Sequence, residues 1–261
     1  VCRAGKFGRG PDEVLRAAAL QVLPLDDGVL SYRVLDFMTG RYYTYKTNLA
    51  SGETDVLLEV DFGAGMREVN YLGDGRYLCN PENNRYYFYD KESGEKTYLE
   101  GWDEGYNAAV ENTSWYVPDL QTSSIISNDS TVVYIFGLSL PVLYVHSLSD
   151  GRLLHRVYIE HTPEEVAEIE QGMEYHGTYR MYDLGENLLL CYYDFEYEDG
   201  AYIPDMYSYK IVVMDKSFRP LASYPIPYVN RFVLDRWSGR LITLSFDEEV
   251  FRIYDLSEWM Q

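Results

Sequence analysis

Four times along its 261 residues, and a fifth time without the final step, the chain passes through the same series: an apolar run, a turn ending in Gly or Asn, a second apolar run, an aromatic-rich run, a polar turn and a last apolar run. The first passage reads LQVLPLDDG, VLSYRVLD, RYYTYKTNL and TDVLLEV, and the second REVNYLGDG, RYLCNPENN, RYYFYDKES and KTYLE. The third is SSIISND, STVVYIFG, VLYVHSLS and LLHRVYIE; the fourth is TYRMYDLGE, NLLLCYYDF, YKIVVMDKS and PLASYPI. The fifth, NRFVLDRWSG, RLITLSFDE and VFRIYDLSE, has no fourth run. Turns before the second runs fall near residues 28, 75, 129, 186 and 239, a period of about 47 to 57 residues. Asp-Gly and Ser-Gly between apolar runs signal hairpins, because Gly takes φ > 0 without steric cost. Antiparallel four-stranded units at this period match propeller blades. A β-sandwich would not be expected to repeat strand ends such as Tyr87-x-Tyr89-Asp90 and Arg252-x-Tyr254-Asp255.

The expectation is an all-β chain, a single β-propeller domain over residues 1–261 with four-stranded antiparallel blades. Five units are visible, and a sixth upstream stays open. Residues near Val1–Ala4 are expected to pair beside Phe251–Leu256 and supply the missing strand, which would remove open sheet edges. Composition agrees. Tyr, at 27 residues, suits pleated, half-buried surfaces with one wet end, and 46% hydrophobic residues can fill a core. One segment, HTPEEVAEIEQG, reads as a helix, with Thr162 as N-cap, Pro163 at the first position, Glu165 completing a capping box and Gly172 as stop. GPDEVLRAAALQVL is helical by propensity, but its place before the first full blade argues for strand in its later half.

GKFGRGPDEV at residues 5–14 resembles the G-x-x-G-x-G-P-x-E-[FV] signature of the TolB-like, six-bladed propeller lipoproteins of Bacteroides-type bacteria. Gly8, Gly10, Pro11 and Glu13 carry the match, and the recurrent strand ends are similar to that family's blades. The resemblance implies export, to the periplasm or as an outer-membrane lipoprotein. Members usually have a blade's length of chain before this motif, where four residues stand here, so an N-terminally truncated chain is expected. Cys2 has no lipobox before it and is not read as a lipidated residue.

Charge excludes some partners. With 42 acidic against 22 basic residues and a net charge of −20, no Lys/Arg stripe is present to bind nucleic acid or an anionic membrane. The acidity serves solubility, or suits a basic or metal-ion partner. No apolar run reaches about 18 residues, so no transmembrane span is expected. Cys2, Cys79 and Cys191 form no C-x-x-C and make neither a disulfide framework nor a zinc ribbon. Cys79 and Cys191 lie in apolar runs and read as small buried hydrophobes.

Motifs for catalysis are missing: no G-x-S-x-G, H-E-x-x-H, Walker loop or strand–G-x-G-x-x-G–helix occurs. No catalytic residue or cofactor is therefore assigned. His146 and His155 read as packed or edge residues, whereas His161 and His176 flank the predicted helix and can join a carboxylate on a metal. Asp194, Glu196 and Glu198, spaced by two, project to one side of a strand, as metal ligands or as a solvated hairpin tip. Three insertions, Gly101–Thr122, Glu160–Gly177 and Asp194–Tyr207, belong to connections that emerge on one face of a propeller. Trp102, Tyr106, Trp115 and Tyr116 in the first of them offer stacking platforms, or else cover blade edges. The reading is a monomeric, exported binding or scaffold module for a protein, peptide or glycan ligand, with a basic ligand favoured by charge. The alternative is a propeller-type lyase or hydrolase with His161, His176, Arg180 and Arg231 at a channel mouth.

Overall fold

The structure, a computed structural model, describes residues 6–7, 13–14, 17–23, 25–81, 85–101, 122–138, 141–166, 176–198, 201–227, 229, 231–245 and 249–260. It is all-β and of the β-propeller class, built from antiparallel blades. Two compact units divide it, Val1–Val110 and Glu111–Gln261.

In the first unit, β1 (Lys6–Phe7) and β2 (Glu13–Val14) form a short parallel pair. Blade one follows as β3 (Ala17–Val22), β4 (Val29–Asp36), β5 (Arg41–Asn48) and β6 (Thr54–Asp61). Blade two is β7 (Met66–Gly73), β8 (Arg76–Pro81), β9 (Tyr87–Asp90) and β10 (Lys96–Tyr98). The later half of the ambiguous GPDEVLRAAALQVL segment is thus strand: β3 pairs with β4 along its length, and this ladder overrides helix propensity. Leu35, Tyr42 and Val60 of blade one bury against Met66, Val69, Tyr77 and Cys79 of blade two. Full burial of such side chains contributes about 1.5–3 kcal/mol each. Tyr42 and Tyr77 meet edge to face, 5.8 Å apart. On the other face of blade one Tyr32 stacks on Tyr45 at 5.0 Å.

The second unit holds three blades. Blade three is β11 (Thr122–Ile126), β12 (Val132–Gly137), β13 (Val142–Ser147) and β14 (Leu153–Tyr158). Blade four is β15 (His176–Asp183), β16 (Asn187–Glu198), β17 (Ala201–Asp215) and β18 (Pro220–Ile226). Blade five has three strands among the described residues, β19 (Arg231–Asp235), β20 (Arg240–Ser245) and β21 (Val250–Asp255), followed by a 3-10 turn at Ser257–Trp259. The expected pairing of Val1–Ala4 with Phe251–Leu256 lies outside the described residues.

Blade four is buried on both faces. Met181, Leu188, Leu190 and Met214 pack on blade three, and Leu189, Cys191, Ile211 and Val213 on blade five. That explains the unbroken apolar run LLLC, Leu188 to Cys191, near the start of β16: alternate residues serve different neighbours. On one face of blade five the apolar side chains of Val233, Phe251 and Ile253 are exposed.

The Asp that ends a third strand has a local task. Asp90 accepts hydrogen bonds from the Ser93 amide and hydroxyl at 2.7 and 2.9 Å. Asp215 accepts from the Ser217 and Arg219 amides, and Asp255 from the Ser257 amide. These carboxylates satisfy turn amides that the ladder leaves unpaired. The capping box forms as expected: the Thr162 amide donates to Glu165 Oε2 at 2.7 Å and the Glu165 amide to Thr162 Oγ1 at 3.2 Å, opening a helical turn at residues 163–166.

Candidate functional site

A cleft of about 490 Å³ opens between blades three and four, at the ends where first strands turn into second and third into fourth. Three turns build it: residues 127–131 of blade three, and residues 183–186 and 216–218 of blade four. Val132, Val145, Leu154 and Phe218 give it an apolar wall. Asp129, Asp183, Glu186 and Lys216 are its charged groups.

Asp183 is the anchor. It ends β15, is 2% exposed, and lies 2.7 Å from Lys216 Nζ through Oδ2. The Asn128 amide donates to the same oxygen at 3.0 Å, and the Gly185 amide donates to Oδ1 at 2.9 Å. Lys216 Nζ also donates to the Tyr134 hydroxyl at 3.2 Å. Burial pushes the Tyr134 phenol up, and Lys216 opposes that shift. A carboxylate so buried is tolerated because cation and amides replace its water. Arg236, in the first turn of blade five, donates to Asn128 Oδ1 at 3.0 Å, so first turns of blades three, four and five share one network. Beside it Trp237 is fully exposed.

Asp129 is of a different kind. Its Oδ1 accepts from the Ser127 hydroxyl at 2.6 Å and from the Thr131 amide and hydroxyl at 3.1 and 2.8 Å. These neutral donors, the Ser127 hydroxyl foremost, hold its carboxyl below the usual carboxylate range. Glu186 is exposed and has no ion-pair partner among the described residues. His155, on the outer strand β14, packs its ring at a tilt against Phe218, with centroids 5.3 Å apart.

The opposite ends of these blades carry some of the residues expected from sequence. Lys210 pairs with Glu160 there, and the Tyr193 hydroxyl donates to the Leu138 carbonyl. His161 is partly buried, with Nδ1 4.0 Å from Glu165 Oε2. His176 opens β15, and backbone register sets it directly opposite Asp194. Glu196 and Glu198 continue β16, and a register shift between Phe195 and Tyr197 breaks the regular alternation expected of these acids. The 194–207 insertion extends the β16–β17 pair, with Phe195 opposite Tyr207 and Glu198 opposite Ala201, in keeping with the hairpin expected there. Among the described residues no group of three or more His, Cys, Asp or Glu is placed to hold a metal. Arg180 and Arg231 are exposed on the first strands of blades four and five. Trp102, Tyr106, Trp115 and Tyr116 lie outside the described residues. His146 is a core residue, its Nδ1 3.2 Å from the Gly151 carbonyl. No helix among the described residues is long and apolar enough to cross a membrane.

No family model and no curated protein matches the sequence. Solved structures show distant likeness. The β-propeller domain of Cps50 (Swd1) from Myceliophthora thermophila is 8% identical, with a TM-score of 0.42, over 87% of this chain and 80% of that one. A putative 6-phosphogluconolactonase from Bacteroides fragilis is 12% identical, TM-score 0.49, over 88% and 64%. The WD40 domain of Toxoplasma gondii coronin is 9% identical, TM-score 0.49, over 92% and 55%. This chain thus spans less than two thirds of the length of the last two.

Proposed function

We propose that the chain is a β-propeller binding module, exported and of the TolB-like kind its GPDE motif resembles, which holds a protein or peptide ligand. The observation that carries this reading is the cleft between blades three and four. Its ionisable pair, buried Asp183 and half-buried Lys216, is saturated by mutual contact and by fixed amides. Groups held in this way fix a shape and a field; they are not poised to pass protons to a substrate. Turns on a rigid sheet scaffold are also where ligands are commonly held.

The test is panning of a random peptide library against the whole chain, repeated on Leu154→Trp, which fills the cleft from β14. Enriched peptides should bind the parent and lose binding to Leu154→Trp, with thermal melts showing both folded. Peptides held equally by both proteins would move the seat elsewhere. A companion variant, Trp102→Ala/Trp115→Ala, reports on the aromatic insertion as the rival seat. Binding on a glycan array without peptide enrichment would overturn the reading.

A further inference from the structure

We infer that the occupant of the blade three–four cleft is a long basic side chain, Lys or Arg, presented by an extended peptide segment. This rests on the binding-module reading above and adds the chemistry of the ligand. The cleft is amphipathic in a specific sense. An aliphatic and aromatic wall, Val145, Leu154 and Phe218, is bordered by the carboxylates of Asp129 and Glu186. Lysine and arginine have the matching form: a hydrocarbon stem that buries along apolar surface and a cationic head kept at the wet end.

The charges fix the sign. Lys216 is committed to Asp183, which it touches at 2.7 Å, and to the Tyr134 hydroxyl. Asp129 accepts its hydrogen bonds from neutral hydroxyls and an amide, and Lys216 adds only the weakest of the attractions it feels, so no ion pair among the described residues neutralises it. Glu186 adds a second carboxylate at the rim. An anionic ligand would meet this excess on a chain of net charge −20, whereas a cation is drawn to it. A neutral ligand would displace water from both carboxylates without bringing them a cation.

The probes are labelled decapeptides of alternating glycine with lysine, norleucine or glutamate, titrated by fluorescence anisotropy into the full chain. The lysine peptide should bind, and the other two should bind at least about tenfold more weakly. Asp129→Asn and Glu186→Gln should each weaken it about threefold and together about tenfold, the range of partly screened ion pairs. Asn at 129 keeps the oxygen that the turn donors need. Glu53→Gln/Asp55→Asn, on the exposed hairpin of blade one, removes the same charge elsewhere and should leave binding unchanged. If both double variants weaken binding alike, the attraction is the general field of an acidic protein and the inference fails. It fails equally if norleucine binds as well as lysine. Should Leu154→Trp abolish binding while Asp129→Asn/Glu186→Gln does not, only the cationic assignment is lost. Should Leu154→Trp change nothing, the cleft itself is not the seat.

Discussion

Lys216 Nζ stands 2.7 Å from Asp183 Oδ2, joining the start of one turn in blade four to the end of its first strand. Removing the cation leaves a carboxylate that is 2% exposed with amide donors alone. Lys216→Met should therefore cost about 2–4 kcal/mol, because a buried charge loses its partner. Lys216→Met/Asp183→Asn should recover at least half of that loss. Urea denaturation of the three proteins checks both values, and a single variant as stable as the parent would show that amides alone solvate Asp183.

Two glycines with positive φ should respond differently to alanine. Gly28 has φ +74° and open space where a Cβ would lie. Gly40 has φ +71°, and a Cβ there would come within 1.6 Å of the Gly63 carbonyl oxygen. Gly28→Ala should cost about 1–2 kcal/mol for the left-handed conformation alone. Gly40→Ala adds overpacking against backbone and should cost at least about 2 kcal/mol more. Equal thermal shifts for the two variants would show that the turn next to Gly63 yields without penalty.

Acid stability follows from the turn carboxylates. Asp90, Asp235 and Asp255 are held below the usual carboxylate range by hydroxyls and amides of their own turns, and Asp215 by the Arg219 and Ser217 amides together with the Arg219 guanidinium. A depressed folded value means stability that is fully present above the unfolded value of about 3.9 and lost as pH falls through the folded values beneath it. Melting temperature should stay level down to about pH 4 and drop below it. A decline beginning near pH 6 would instead point to histidine.

At the alkaline end the sign reverses. Burial pushes the phenols of Tyr77 and Tyr182 up to about 12. Their contribution is intact below the unfolded value of about 10 and is lost as pH rises from there through the folded values. Tyrosinate absorbance should rise first for exposed phenols. A second, cooperative rise should coincide with loss of circular dichroism, and a single non-cooperative titration of all tyrosines would contradict the burial.

Cys79 and Cys191 are buried free thiols, and burial pushes both above their ordinary range. In a Cys2→Ser background, Ellman's reagent should find no fast-reacting thiol in the native protein and both in urea. A fast-reacting thiol before unfolding would show that one of the two blade interfaces opens locally.

The blades were legible in the sequence because hairpin chemistry is local. Gly28, Gly75 and Gly239 mark turns that the structure places just before β4, β8 and β20. The capping box at Thr162 and Glu165 was legible for the same reason. Asp183, Lys216 and Asn128 were not, since nothing along the chain says that a strand-ending Asp will meet a lysine 33 residues later and an asparagine of the preceding blade. Such a cleft is a product of blade-on-blade packing, and its polar groups are individually ordinary turn residues. The sole signal available was position. All three sit at strand-turn boundaries, as does Trp237, whose complete exposure follows from its place in a tight hairpin.

Every four-stranded sheet here pairs strands in the order in which the chain supplies them. Each strand needs to find only its immediate neighbour, so the loop-closure entropy of any one pairing is small. Folding can then start in whichever blade first completes a hairpin and spread through interfaces such as that of Met181 and Leu190 with blade three. A lesion in one blade is then felt first by the blades that pack on it.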